Sequence, residues 1–349
     1  MNQLVIPSPD TIPVHWVWFQ VLLVLTFVIH LVLMNFILGG SLLTAWDILR
    51  GKGEHKASAS IPTLVALTIN FGVPPLLFVQ VLYGHFFYTS SVVMAVPWIL
   101  VIPVLIFAYY GAYVYAKNTT RAPRWSRAGL AVSSVLLLYV AFVFVNNNTL
   151  ALVPDRWSVY FDNPGGANLN IGEPTLFPRF LHFVVAAIAI GALGRALWYH
   201  FSKYEAEEKR QHIISNLKIF GWMTIVQVAI GTWFWLSMPK EIWMLFMGKN
   251  IYATVLMIAG WLLALGILHA GFTGRILQAA VMGGLVVVVM VLIRDVARQA
   301  YLGAWFHPRD LENVGQVSPF IAFLIVFVIG LFMLYYMIRL MLKPKNQSS

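Results

Sequence analysis

PRFLHFVVAAIAIGALGRALWYHF, residues 178–201, decides how this chain is read. In composition it is a transmembrane helix, yet it carries His182 about one turn inside its entrance. Arg179 stands three residues earlier and so shares a helix face with His182. Ala186 and Ala189 continue that face with small side chains. An imidazole, a guanidinium and a shallow groove on one membrane helix meet the needs of a heme: an axial ligand, a propionate partner and room for the ring. The same residues also read as a histidine bonded to a neighbouring helix, beside an arginine that marks the membrane surface. This stretch alone leaves both readings open.

The rest of the chain matches it in character. Of 349 residues, 60% are hydrophobic and only 10% are charged; the mean hydropathy is +0.79. Apolar runs long enough to cross a hydrocarbon core of about 30 Å recur throughout. Alternating barrel strands are absent. The composition therefore predicts an all-α integral membrane protein, a single polytopic domain over 1–349. Nine spans are expected near 16–46, 60–88, 92–116, 128–150, 177–201, 217–238, 250–270, 276–300 and 319–342.

The net charge of +10 is no nucleic-acid footprint, because the cations gather in alternate loops. One set of loops holds Arg50, Lys52 and Lys56, then Lys117, Arg121, Arg124 and Arg127, then Lys203, Lys209, Arg210 and Lys218. Arg275 and the tail residues Lys343 and Lys345 complete it. The opposite loop, 151–176, carries Asp155, Asp162 and Glu173 against Arg156. By the positive-inside rule the N-terminus is outside and the C-terminus cytoplasmic. There is no cysteine, which excludes disulfides, iron–sulfur clusters and covalently attached c-type heme. The start, MNQLVIPSPDTIPVHW, lacks the basic region of a signal peptide.

That orientation sorts the unusual membrane residues by depth. His30 lies halfway along the first span, His85 near the outer end of the second and His182 near the outer end of the fifth. Met257 is about two turns into the seventh, and Asp295 and Arg298 are near the outer end of the eighth. Candidate ligands from five spans thus share the middle-to-outer membrane. His55, His200, His212 and His269 fall near the inner surface and need no ligand role. Arg294, Asp295 and Arg298 need partners, since buried charge in a membrane is costly. Asp295 and Arg298 read either as a local ion pair or as groups at a heme iron and a propionate. Asn35, Asn70 and Gln80 read as hydrogen-bonding stitches between helices. Pro74-Pro75 is expected to kink the second span.

Several segments resemble subunit I of the cytochrome bd quinol oxidase superfamily. VIHLVLMNFILGGSLLTAWDILRGK resembles its first span, where the histidine, here His30, binds an active-site heme. PRFLHFVVAAIAIGALGRALWY resembles the span whose histidine, here His182, binds the low-spin b heme. YATVLMIAGW resembles the segment that supplies the opposing methionine, here Met257. RDVARQAYLG resembles the family's acidic-x-Gly-Arg-Gln-Pro-Trp segment, with Asp295 at the acidic position and Arg298 and Gln299 matching. INFGVPPLLFVQVLYGHFF, with His85, is a looser match to the second span. The matches run in order from about residue 20 to about residue 320.

The departures from that family are as informative. The oxidases carry glutamates in the third span; VPWILVIPVLIFAYYGAYVY has none, and Val101 and Tyr109 stand near the expected places. The long quinol-binding loop of the oxidases is replaced by MPKEIWMLFMGKN. Gly-Arg-Gln-Pro-Trp has become Ala-Arg-Gln-Ala-Tyr. Without those acids a proton route to oxygen is missing, whereas a His182/Met257 site would hold a closed iron suited to electron transfer. The resemblance therefore implies a shortened member: a b-type cytochrome of a bacterial or archaeal cytoplasmic membrane, with two or more non-covalent b hemes. It would pass electrons between membrane quinone and an outer-side partner such as a c-type cytochrome, with room for a second integral subunit. His30 would bind further heme, with Asp295 or His85 as a second ligand. Arg179 and Arg298 would meet propionates, and Lys240 and Glu241 are the quinone-site candidates. A bd-type terminal oxidase with a rearranged proton path, and a heme-free transporter or assembly subunit on the same scaffold, are the alternatives.

Overall fold

The structure is a computed structural model that describes residues 6–51, 61–118 and 123–342, with side chains as far as Arg339. Lys52, His55, Lys56, Arg121, Lys343 and Lys345 lie outside the described residues. Among those described there are nine helices long and apolar enough to cross a membrane, and no strand. In a bilayer every backbone N–H and C=O must be satisfied within the segment, and a helix does this for any apolar sequence.

We number these helices α1 (Trp16–Leu49), α2 (Ile61–Val93), α3 (Val101–Asn118, led by the short helix Ala95–Ile99), α4 (Pro123–Leu152), α5 (Leu176–Phe201), α6 (Ala206–Leu236), α7 (Ile251–Thr273), α8 (Ile276–Leu302) and α9 (Val317–Leu342). All nine expected spans are present. The largest difference is α6, which begins at Ala206 rather than near 217. Its first turns, AEEKRQHIISN, are polar but consist largely of good helix formers, so the helix extends beyond its apolar part.

The helices form two groups of four. In the first, α1 packs on α2 and α4, and α3 packs on α4 and α2. In the second, α5 packs on α6, α6 on α7, α7 on α8 and α8 on α5. The groups meet where α1 packs on α5 and α8, and α4 on α5. α9 stands outside both, and its Phe320 and Phe323 touch Phe19 and Phe78.

Small residues set the closest crossings, as expected where backbones must approach in lipid. A Cβ built on Gly39 of α1 would stand 1.7 Å from the Ala187 carbonyl oxygen of α5, and one on Gly191 would stand 2.6 Å from the carbonyl carbon of Gly39. α3 and α4 cross in the same way at Gly111 and Gly129, where a Cβ would lie 2.8 and 2.7 Å from the opposing carbonyl oxygen.

The end of the bundle at which α1 starts is capped by chain. Ile12 N–H donates to Glu312 O at 2.8 Å and Val314 N–H to Ile12 O at 3.0 Å, which ties the N-terminal segment to the loop after α8. Asn168 Nδ2 donates to Val93 O at 3.1 Å, and Trp157 Nε1 to Leu150 O at 3.0 Å. At the far end, Arg195 of α5 and Asp47 of α1 form an ion pair at 2.7 Å.

The kink in α2 is not where the prolines predict it. Helical dihedrals continue through Pro74 and Pro75 and break at Tyr83 (φ −134°, ψ 29°). Proline removes a donor, but its fixed φ is itself helical. Tyr83 is instead held against Phe306 and beneath Arg298, next to Gly84.

Candidate functional site

His182 and Arg179 do share a face of α5, and both look at α6. The His182 ring lies 6.0 Å from that of Phe234, and the Arg179 guanidinium sits 4.9 Å over the same ring. A Cβ on Gly231, one turn before Phe234, would come within 3.0 Å of His182 Cε1 and 3.2 Å of Nδ1. Glycine there makes room for the imidazole. His182 Nδ1 is buried without a hydrogen-bond partner, as is Arg179 Nε. A buried imidazole nitrogen with no partner calls for an explanation.

Met257 is on α7, packed beside Phe246, Ala253 and Ala297 together with Trp235 and Ile293. α5 and α7 are not direct neighbours; they face each other across the group they form with α6 and α8. His182 and Met257 each lie six residues from the start of their helix, which is about 9 Å of rise. Both helices start at the same end of the bundle, so both side chains lie in the half of the group nearest that end.

His30 belongs to a second place, between the two groups. It lines a cavity of about 140 Å³ together with Phe27, Gly72, Tyr83, Asn148, Arg294 and Arg298, among others. Its Nδ1 is 3.1 Å from the Thr68 carbonyl oxygen. A carbonyl only accepts, so Nδ1 carries the proton and Nε2 keeps its lone pair, the form a metal takes. Gly72 leaves space for the ring: a Cβ there would be 2.9 Å from His30 Cε1.

His85 is not brought to this cavity. It is buried in an aromatic box, 4.3 Å from Phe86 and 4.5 Å from Phe306 between ring centres. Asp295 spends its carboxylate on its own helix, accepting from Gln299 Nε2 at 2.8 Å and lying 3.9 Å from Arg298 Nη1. Arg298 is buried, has its guanidinium 5.0 Å over the Tyr83 ring, and keeps Nη1 without a hydrogen bond. Lys240 and Glu241 are exposed on the short helix Lys240–Trp243. Neither lines the cavity.

Two features escape the sequence reading. Arg294 lines the cavity, donates from Nη2 to Asn148 Oδ1 at 3.1 Å and lies 4.5 Å over the Phe27 ring. The run Asn146–Asn147–Asn148 ties α4 to three different elements. Asn146 accepts from Asn170 N–H at 3.1 Å, Asn147 joins Ser90 and Ser91 of α2 at 2.9 Å each, and Asn148 takes Arg294. Three consecutive amides at the end of an apolar span were the available signal.

The electrostatics of the region are lopsided. Arg179, Arg294 and Arg298 are close enough to act on one another's charge. Asp295 is the carboxylate within ion-pair distance among the described residues, and only of Arg298. The hydroxyls of Tyr83 and Tyr301 are also buried in this region. Buried positive charge and unused donors of this kind are costly in a membrane. No group of three or more His, Asp or Glu gathers among the described residues to hold a bare metal ion. A heme iron brings its own four ring nitrogens and asks the protein for only one or two ligands.

Nine long apolar helices make this chain a multi-pass membrane protein. No family model matches it, and no curated protein or solved structure is similar enough to count as a relative.

Proposed function

We propose that this chain is a b-type cytochrome of the cytoplasmic membrane, passing electrons between membrane quinone and a redox protein on the outer side. The observation that carries the proposal is His182: a buried imidazole with an orphan nitrogen, given room by Gly231, in the four-helix group to which Met257 also belongs.

The residues fit non-covalent heme in two places. His182 and Met257 offer a nitrogen and a thioether from opposite sides of the second group. His30, its Nδ1 proton fixed by the Thr68 carbonyl, offers Nε2 at the cavity between the groups. Arg179 and Arg298 supply positive charge for propionates, and Asp295 belongs to the shell of that charge. Heme, when bound, supplies reversible one-electron chemistry. A His/Met pair leaves no open iron position, which favours electron transfer over oxygen chemistry. The orientation with the N-terminus outside is supported by Arg50, Lys117, Lys203, Lys209, Arg210 and Arg275, which all fall at the far end of the bundle from the start of α1. In that orientation both heme places lie in the middle-to-outer membrane, within reach of an outer partner such as a c-type cytochrome.

The test is a reduced-minus-oxidised spectrum with pyridine hemochrome quantitation on purified protein. Two or more b hemes per chain are expected, with one low-spin component lost in both His182→Ala and Met257→Ala. A chain without heme, or heme indifferent to both substitutions, sinks the proposal and leaves a transporter or assembly role on the same scaffold. Oxygen uptake with a quinol donor, abolished by His30→Ala, would instead mark a terminal oxidase.

A further inference from the structure

We infer that Arg294 is the residue that recognises an acidic group on the ligand of the His30 cavity; on the cytochrome reading, on which this rests, that group is a heme propionate. Of the three buried arginines, Arg298 has Asp295 within ion-pair distance on its own helix. Arg179 and Arg294 have no carboxylate within ion-pair distance among the described residues, and of these two it is Arg294 that lines the cavity. One of its five N–H donors is used, on the Asn148 amide oxygen at 3.1 Å. Its guanidinium is braced over Phe27 at 4.5 Å, and its accessible surface lines the same cavity as His30.

A neutral amide and an aromatic face orient a guanidinium without cancelling its charge. Asn148 of α4 and Phe27 of α1 therefore hold two sides of Arg294, at the wall of the cavity that His30 also lines. A guanidinium fork matches a carboxylate bidentately, so an arginine so held selects a ligand bearing one. Tyr83, whose hydroxyl is buried, lines the same cavity and adds a neutral donor.

The test uses the full-length chain carrying His182→Ala, so that only the His30 place is filled. The purified apo chain is titrated with heme and with heme dimethyl ester, which lacks the free carboxylates, and binding is read from the absorbance. Heme is expected to bind at least about ten-fold more tightly than the ester, the scale of a charge-assisted hydrogen bond. Arg294→Gln is expected to reduce that preference several-fold, leaving the share that Arg298 supplies, and Arg294→Lys to reduce it less. In the heme-loaded protein Arg294→Gln should also lower the midpoint potential of this heme, because a cation beside it favours the reduced state. Equal binding of heme and ester overturns the inference even if Arg294→Gln does not accumulate. So does an Arg294→Gln chain that only melts earlier while keeping the preference and potential, since Arg294 would then be a strut between helices. A chain that holds heme at His182 but none after His182→Ala also overturns it, whereas a parent chain with no heme at all defeats the cytochrome reading itself.

Discussion

Gly39 and Gly40 are neighbours on α1, and the structure sets opposite expectations for replacing them with alanine. A Cβ at Gly39 would stand 1.7 Å from the Ala187 carbonyl oxygen, whereas one at Gly40 meets nothing within 4 Å. Ordinary non-bonded contact is about 3.5 Å, so Gly39→Ala requires about 1.8 Å of separation. The obstructing atom is backbone, so no rotamer can absorb it, and α1 and α5 must move apart. Overpacking costs about 1–3 kcal/mol and sometimes more; a rigid helix pair places Gly39→Ala at the upper end, about 3 kcal/mol. Gly40→Ala should gain about 0.5–1 kcal/mol from helix propensity. The two variants should differ by about 4 kcal/mol in opposite directions around the parent. Thermal unfolding in one detergent, followed by tryptophan fluorescence, compares them directly. If Gly39→Ala melts with Gly40→Ala, the α1–α5 crossing is not where the structure has it, and the relation between His30 and His182, which rides on those two helices, falls too.

Gly72→Ala brings a Cβ within 2.9 Å of His30 Cε1 and 3.1 Å of Nδ1; it should push the ring off the Thr68 carbonyl and lose the His30 heme, while the heme-free chain should melt little changed from the heme-free parent, since alanine's helical preference offsets about 1 kcal/mol of lost hydrogen bond. Arg195→Met removes the guanidinium that now lies 2.7 Å from the mostly buried Asp47 carboxylate; it should lower stability by up to about 3 kcal/mol, and Asp47→Leu in the same chain should recover part of that. His307, in the loop after α8, has its pKa lowered by burial and by Arg309, against the pull of Asp310 and Asp295. Its neutral Nδ1 accepts from Arg309 N–H at 3.1 Å. The unfolded chain takes the proton first, so the loop should lose stability as pH falls below about 6.5, and hydrogen exchange over 303–316 should quicken there. His307→Asn, which caps without titrating, should flatten that dependence; an unchanged profile would refute the assignment.

The nine helices were legible because each is an apolar run closed by charge or by Pro and Gly, and hydropathy reads the lipid environment directly. It does not read helix that leaves the lipid, so the polar start of α6 was missed. The expected kink at Pro74-Pro75 fell at Tyr83, because tertiary contacts of an aromatic side chain decided it rather than the missing donor. Arg179 and His182 were legible as a pair, since three-residue spacing fixes a shared face, and both meet Phe234. The Asp295–Arg298 contact follows from the same spacing. Arg294 with Asn148, and Gly72 with His30, were not legible: no periodicity within one helix says which neighbour it will lean on.

The Asn148–Arg294 bond joins residues 146 apart in sequence, and that separation has a consequence for biosynthesis. A chain threaded into the bilayer from its N-terminus places α4 there while α8 has yet to be made. Asn147 can be satisfied early, by Ser90 and Ser91 of a helix already present. Asn148 must wait through the synthesis of α5, α6 and α7. The arrival of α8 both supplies the missing donor and closes the seam between the two halves. Translation cut short before α8 leaves the Asn148 amide without Arg294, a mark by which quality control could tell an incomplete chain from a finished one.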